Sequence, residues 1–294
     1  INRMEPDLSI EQQAYRALVL GTRDYVHKNG FKGAVLGLSG GVDSALVLAI
    51  AADALGPEHV RAVMMPSPFT AAISVEDARA CAAALGVPLD TIDIAPLFDQ
   101  SKSSLSAMFA GLAEDITEEN LQARMRGVIL MGLSNAEGHL TLTTGNKTEL
   151  AVGYSTIYGD SVGGFAPIKD VEKTLVWELA KWRNEFASSK GLTPPIPENS
   201  ISKPPSAELR PDQTDQDSLP PYEVLDEIVS RFMENDQSSD EIIAAGFVRA
   251  DVEKVTRLIR INEYKRRQSP VGIRVTHRSF GKDWRYPITN KFRA

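Results

Sequence analysis

GAVLGLSGGVDSALVLAIAADALGP, residues 33–57, decides the fold. Its first part, GAVLGL (33–38), is a short apolar run bounded by glycine, which reads as a strand buried on both faces. Ser44 to Leu55 is almost wholly apolar and stops at Gly56-Pro57, the pattern of a central buried helix. Between them lies a strand-to-helix turn. Gly37, Gly40 and Gly41 remove side chains where the backbone turns sharply and approaches a ligand, and Ser39 and Ser44 add hydroxyls. Together with Leu38 and Val42 this makes a loop whose amides point at an anion. It contains no lysine, so the pattern GxxxxGK[ST] is not met. Asp43 beside phosphates is repulsive unless a divalent cation intervenes, which makes it a candidate Mg²⁺ ligand. The plain alternative is a Gly-rich turn with an ordinary Asp cap.

Working outward, the unit repeats. Residues 9–29 precede it as an amphipathic helix. VRAVMMP (60–66) predicts a strand, 74–86 an Ala-rich helix, LDTIDI (89–94) a strand and 97–112 a helix. A helix over 117–134 and a strand over LTLTTG (140–145) follow. This alternation predicts an α/β fold, an open parallel sheet with helices on both faces, whose ligand sits beyond the carboxyl ends of the strands. SGGVDS and TTGNKTE both follow strands, where that rule puts a site. Past a helix over 171–187, residues 194–221 hold eight of the 17 prolines and read as a long loop over a site. Helices are expected again at 221–234, 238–245 and 250–268, before a basic, aromatic tail.

With 294 residues, 43% of them hydrophobic, the chain can bury a substantial core. A net charge of −7 argues against a nucleic-acid-coating surface. No apolar run reaches the roughly 18 residues of a membrane helix, so no membrane partner is expected. A single cysteine, Cys81, allows no internal disulfide and fits a reducing, cytoplasmic setting. His27, His59, His139 and His277 have no metal-ligand spacing.

The SGGVDS loop after the first strand resembles that of the N-type ATP pyrophosphatases, which cleave ATP between its α and β phosphates. The loop does not choose among them. EENLQARMRG (118–127), TTGNKTELAVGYSTIYGD (143–160), PIKDVEKT (167–174), SKPPSAELRP (202–211) and FGKDWRYPITN (280–290) are similar to NAD synthetase of the glutamine-dependent kind, over nearly all of residues 1–294. The resemblance implies ATP bound by residues 37–44, Thr144 and Lys173, with Mg²⁺ on Asp43 and Glu149. It implies deamido-NAD at Asn120, Arg124, Glu149 and Lys282, and catalytic roles for Asp43, Lys173 and Ser206, where many members have Thr.

Each residue also has a plainer reading. Glu149 could be a carboxylate at a helix start, Thr144 a strand-end packer and Lys282 a surface charge. Asp170 reads as an N-cap, which puts Lys173 in a first turn, where a cation is disfavoured unless it meets a phosphate or pairs with Asp170. Arg124 and Arg126 could form a solvated basic face. Trp177 and Trp182 suit a core or dimer contact.

The implied reaction amidates deamido-NAD with ammonia through an adenylate, in a homodimer or higher homo-oligomer. Glutamine-dependent relatives carry an N-terminal glutaminase domain with a catalytic cysteine. Cys81, in ARACAAALG, reads instead as a small packed residue. With Ile1 as first residue, this leads us to expect a glutaminase domain upstream in a longer chain, or ammonia from elsewhere. A GMP-synthetase-like enzyme and a catalytically idle nucleotide sensor are the alternatives.

Overall fold

The computed structural model describes residues 8–113 and 115–289. The quoted segment forms β1 (Ala34–Gly37) and α2 (Val42–Leu55). Around them run α1 (Ile10–Lys28), β2 (Val60–Met64), α3 (Ala72–Leu85), β3 (Leu89–Thr91), α4 (Ala95–Phe109), α5 (Ile116–Glu137) and β4 (Leu140–Thr141). These strands form a parallel sheet in the order β3-β2-β1-β4. The order reverses between β1 and β4, so the loops leaving those strands flank the crevice where α/β sheets bind ligands.

Burial on both faces of β1 follows from period two. Ala34 and Leu36 join α1, α2 and α3 in one core, while Val35 joins Val63, Ile94 and Leu130 in another. Helix α2 is apolar all round because α1, α3 and α7 (Lys173–Ser189) wrap it.

Beyond β4 come α6 (Lys147–Val152) and β5 (Phe165–Ala166), with α8 (Glu198–Ser202) after α7. Then α9 (Tyr222–Val229), α10 (Ser239–Ala244) and α11 (Arg249–Ile261) join α6 in a further core around Leu225, Val229 and Ile259, and α12 (Glu263–Arg266) follows. The chain then forms β6 (Val271–Gly272), which pairs parallel with β5 in a separate two-stranded sheet. Among the described residues no helix is long and apolar enough to cross a membrane.

Several sequence expectations need correction. The strand expected over 140–145 ends at Thr141, with one further bridge from Leu142 to Phe165, because the chain then turns to cap α6. The strand expected over 89–94 ends at Thr91. The Pro-rich stretch is not loop throughout: α8 and a 3₁₀ turn over Asp215–Asp217 lie within it. The helix expected over 250–268 breaks at Asn262, whose side-chain amide donates 2.8 Å to the Val152 carbonyl. Strands β5 and β6 were not foreseen, since two-residue strands carry no periodicity. Of the tail FGKDWRYPITN, Asn290 lies outside the described residues, as do residues 291–294.

Candidate active site

The phosphate-type loop is held by its own hydroxyls. Ser44 Oγ accepts from the Ser39 amide at 3.2 Å and donates to the Gly41 carbonyl at 3.0 Å. Gly40 has φ +83°, and an added Cβ would overlap the Ser74 carbonyl oxygen, so only glycine fits. The Gly40 carbonyl accepts 2.9 Å from Ser200 Oγ. Gly41 is the N-cap of α2 and offers no side-chain acceptor, which leaves first-turn amides open to an anion. Asp43 lies inside that turn, so it is not the ordinary cap considered above.

Two distant segments converge on Asp43. Asn146 caps α6 in a reciprocal box with Glu149: Asn146 Oδ1 accepts from the Glu149 amide at 3.0 Å, and Glu149 Oε2 from the Asn146 amide at 3.2 Å. Asn146 Nδ2 also donates 2.9 Å to Asp43 Oδ1. Lys173 Nζ donates to Asp43 Oδ2. Burial pushes the Glu149 carboxyl well above its ordinary value, and the Asp43 carboxylate adds to the rise. Burial opposes charge on Lys173, but Asp43 and Glu149 outweigh it and leave the ammonium above its ordinary value.

The expected capping by Asp170 does not occur. Glu172 is the N-cap of α7 without a side-chain bond, and Asp170 Oδ2 instead accepts from the amides of Val275 and Thr276, each at 2.8 Å. Asp170 faces Lys147 at 3.3 Å, so Lys173 is free to reach Asp43.

The donor set suits a hard cation shared with a ligand. Among the described residues no group of three His, Cys, Asp or Glu forms a protein cage. Mg²⁺ is usually held by one or two carboxylates, the remainder being water and phosphate oxygens. A half-buried Glu149 whose carboxyl resists ionisation beside Asp43 is relieved by such a cation. Asp43 and Glu149 therefore fit Mg²⁺.

These groups open into a cavity of about 290 Å³ that Ser39, Asp43, Thr144, Glu149, Lys173 and Ser206 help to line. The Pro-rich segment covers one side and is strapped down. Glu208 accepts from Ser74 Oγ at 2.5 Å and from the Ala71 amide at 3.1 Å, and Lys203 Nζ donates 2.9 Å to Ser74 Oγ. Exposed Ser206 accepts 3.1 Å from the Glu208 amide. Buried Asp215 also lines the cavity and accepts 2.6 Å from the Tyr222 hydroxyl.

Asn120, Arg124 and Lys282 stand apart from this lining. Asn120 Oδ1 accepts 2.7 Å from Thr156 Oγ1, and Arg124 Nε donates 3.3 Å to the Ile157 carbonyl. Both brace a loop whose Ser155, Gly159 and Asp160 do reach the cavity. Lys282 is exposed in the tail. Arg126 is no solvated face: it lines the cavity and donates 3.0 Å to the Met65 carbonyl. Trp182 packs on Tyr15 with ring centroids 5.2 Å apart, as core. Sequence reading missed Asn146, Arg126, Asp215, Lys203 and Glu208. Only Asn146 carried a local signal, the Asn-x-x-Glu spacing of a capping box.

An open parallel sheet, a lysine-free glycine loop at its switch point, and carboxylates paired with a lysine across the crevice define an N-type ATP pyrophosphatase fold with added C-terminal helices. More narrowly, the chain belongs to the NAD synthase family, whose model matches residues 14–269. It is 56% identical over 288 residues to the glutamine-dependent NAD(+) synthetase of Acinetobacter baylyi, covering 98% of this chain and 52% of that protein. The solved glutamine-dependent enzyme of Acinetobacter baumannii, in complex with ADP, is 50% identical with a TM-score of 0.67, over 97% of this chain and 51% of that one. The NH3-dependent NAD synthetase of Campylobacter jejuni is 26% identical with a TM-score of 0.69, over 88% of this chain and 96% of its own. The chain thus spans about half the length of the curated relatives it matches.

Proposed function

We propose that this chain carries out the ATP-dependent amidation of deamido-NAD to NAD, with ammonia as nitrogen donor and AMP and pyrophosphate as products. The observation that carries this reading is the meeting of Lys173, Glu149 and Asp43 at the open N-terminus of α2. The amides of residues 39–44 would bind the phosphates, and Thr144 the nucleotide. Asp43 and Glu149 would hold Mg²⁺, which supplies charge neutralisation on the polyphosphate when bound. The nicotinate carboxylate attacks the α-phosphorus; the bond to the bridging oxygen breaks, and pyrophosphate leaves with its electron pair. Lys173 and Ser206 would stabilise that leaving charge. Ammonia then attacks the activated carbonyl carbon, AMP departs with the electron pair, and the nitrogen gives up a proton to leave the amide.

Asn120 and Arg124 would serve deamido-NAD by holding the loop at Ser155–Asp160, with Lys282 as a more distant contact. Homodimer formation belongs to this reading, since Ile116 and Val128 on α5 are 65% and 63% exposed and offer apolar surface to a second copy. Burial pushes the Cys81 thiol up to about 12, which suits packing and not the attack of a thiolate on glutamine. Glutamine would therefore serve only through a glutaminase domain or partner.

The test is ATP–pyrophosphate exchange with deamido-NAD, then with XMP, followed by NAD formation with ammonia or glutamine. The expected result is exchange with deamido-NAD and product with ammonia. Exchange with XMP alone, or turnover on glutamine alone, would overturn the reading.

A further inference from the structure

Along the first turn of α6 the side chains divide between two destinations. Asn146 and Glu149 face Asp43, while Lys147 and Thr148 enter the protein behind the site, each fully buried. The Thr148 hydroxyl donates to Asp226 Oδ1 on α9, and Thr148 Oγ1 accepts from the Lys173 amide at 3.0 Å. Asp226 Oδ2 accepts the Thr174 amide at 2.8 Å. Helix α7 has no capping side chain of its own, so Asp226, 4% exposed, takes two of its orphan amides, one directly and one through Thr148.

We infer that Asp226, acting through Thr148, is a positioning residue that fixes Glu149 and Lys173 relative to each other. This rests on the nucleotide-binding reading above. Asp226 does not line the cavity, yet each of its partners adjoins a site residue: Thr148 precedes Glu149, and Thr174 follows Lys173. A carboxylate at a helix N-terminus is favourable, and when buried it stays so only with its hydrogen bonds made. Losing this clamp lets the two helix starts slide apart, and misplacement of about 1 Å can lower a rate about a hundredfold. Lys147, bonded to Glu234, Thr276 Oγ1 and the Arg278 carbonyl, anchors the same turn from the other side but has no bond to α7.

The experiment compares Thr148→Val, Thr148→Ser and Asp226→Asn in the 294-residue chain. It measures MgATP affinity by calorimetry, kcat and KM of pyrophosphate exchange, and the melting temperature. Thr148→Val should weaken MgATP about tenfold and lower exchange kcat about tenfold or more, with Thr148→Ser restoring both. Asp226→Asn should match Thr148→Val, and the double variant should add little. Affinity and kcat of the folded variants within about twofold of the parent would overturn the inference whatever happens to melting, because a purely structural pair moves melting alone. If Asp226→Asn does not fold, the valine and serine variants decide the matter by themselves. Should the parent bind MgATP but fail to exchange with deamido-NAD, the amidation reading falls while calorimetry still reads the clamp.

Discussion

Lys173 Nζ is hydrogen-bonded to Asp43 Oδ2 across 130 residues of sequence, so the loop after β1 is closed by the first residue of α7. That ammonium is the positive charge facing both Asp43 and Glu149 in the free protein. Lys173→Met should cost about 2 kcal/mol of stability, the consequence of burying a site whose half-buried carboxylates have lost their cation. It should also lower pyrophosphate exchange about a hundredfold or more. Urea unfolding and exchange kinetics on one preparation check both.

Glu149→Gln should separate stability from activity. It removes a carboxyl whose ionisation burial and Asp43 oppose, so the ligand-free protein should melt no lower than the parent at neutral pH. Exchange should nevertheless fall steeply and need more Mg²⁺. A glutamine variant with ordinary Mg²⁺ dependence would remove Glu149 from the metal site.

The ligand-free protein should lose stability as pH rises from about 5 to about 7.5. Burial lifts Glu172 from 4.5 to about 7. Groups raised in the folded state stabilise it fully below their unfolded values, and that contribution is lost as pH climbs through the folded ones. Glu172→Gln should flatten part of the decline; melting curves at four or five pH values suffice.

Gly40→Ala should damage the loop twice, through its φ of +83° and through the Ser74 carbonyl. We expect a loss of about 2 kcal/mol or more and a matching loss of nucleotide affinity. Wild-type affinity would show that the turn relaxes freely.

Glu208→Ala should release the strap from Ala71 and Ser74. KM for ATP should rise about tenfold, as befits two charge-assisted bonds, with a smaller change in kcat.

The sheet, the buried α2 and the glycine loop were legible because each is written locally, in period, apolar run and turn chemistry. Glu149 and Lys173 were legible through long segments shared with a family, and Lys173 also through its misfit at a helix start. Asp170 misled, because an Asp three residues before a lysine gives no hint that Val275 and Thr276 will claim its carboxylate. Asp215 and Glu208 were missed for a related reason: each sits in a Pro-rich stretch whose contacts are with Tyr222 and Ser74, remote in sequence or across an irregular turn.

The anchoring of Lys147 and Asp170 by Thr276 has a consequence for synthesis. A nascent chain can emerge with β1, the glycine loop and α7 in place while Lys147 still lacks Thr276, 129 positions downstream. Lys147 then keeps Glu234 and Asp170 but lacks Thr276 and the Arg278 carbonyl. Nucleotide would therefore gain its full grip only after the ribosome has delivered residues near 276, so that ATP binding reports the arrival of that segment rather than guiding it.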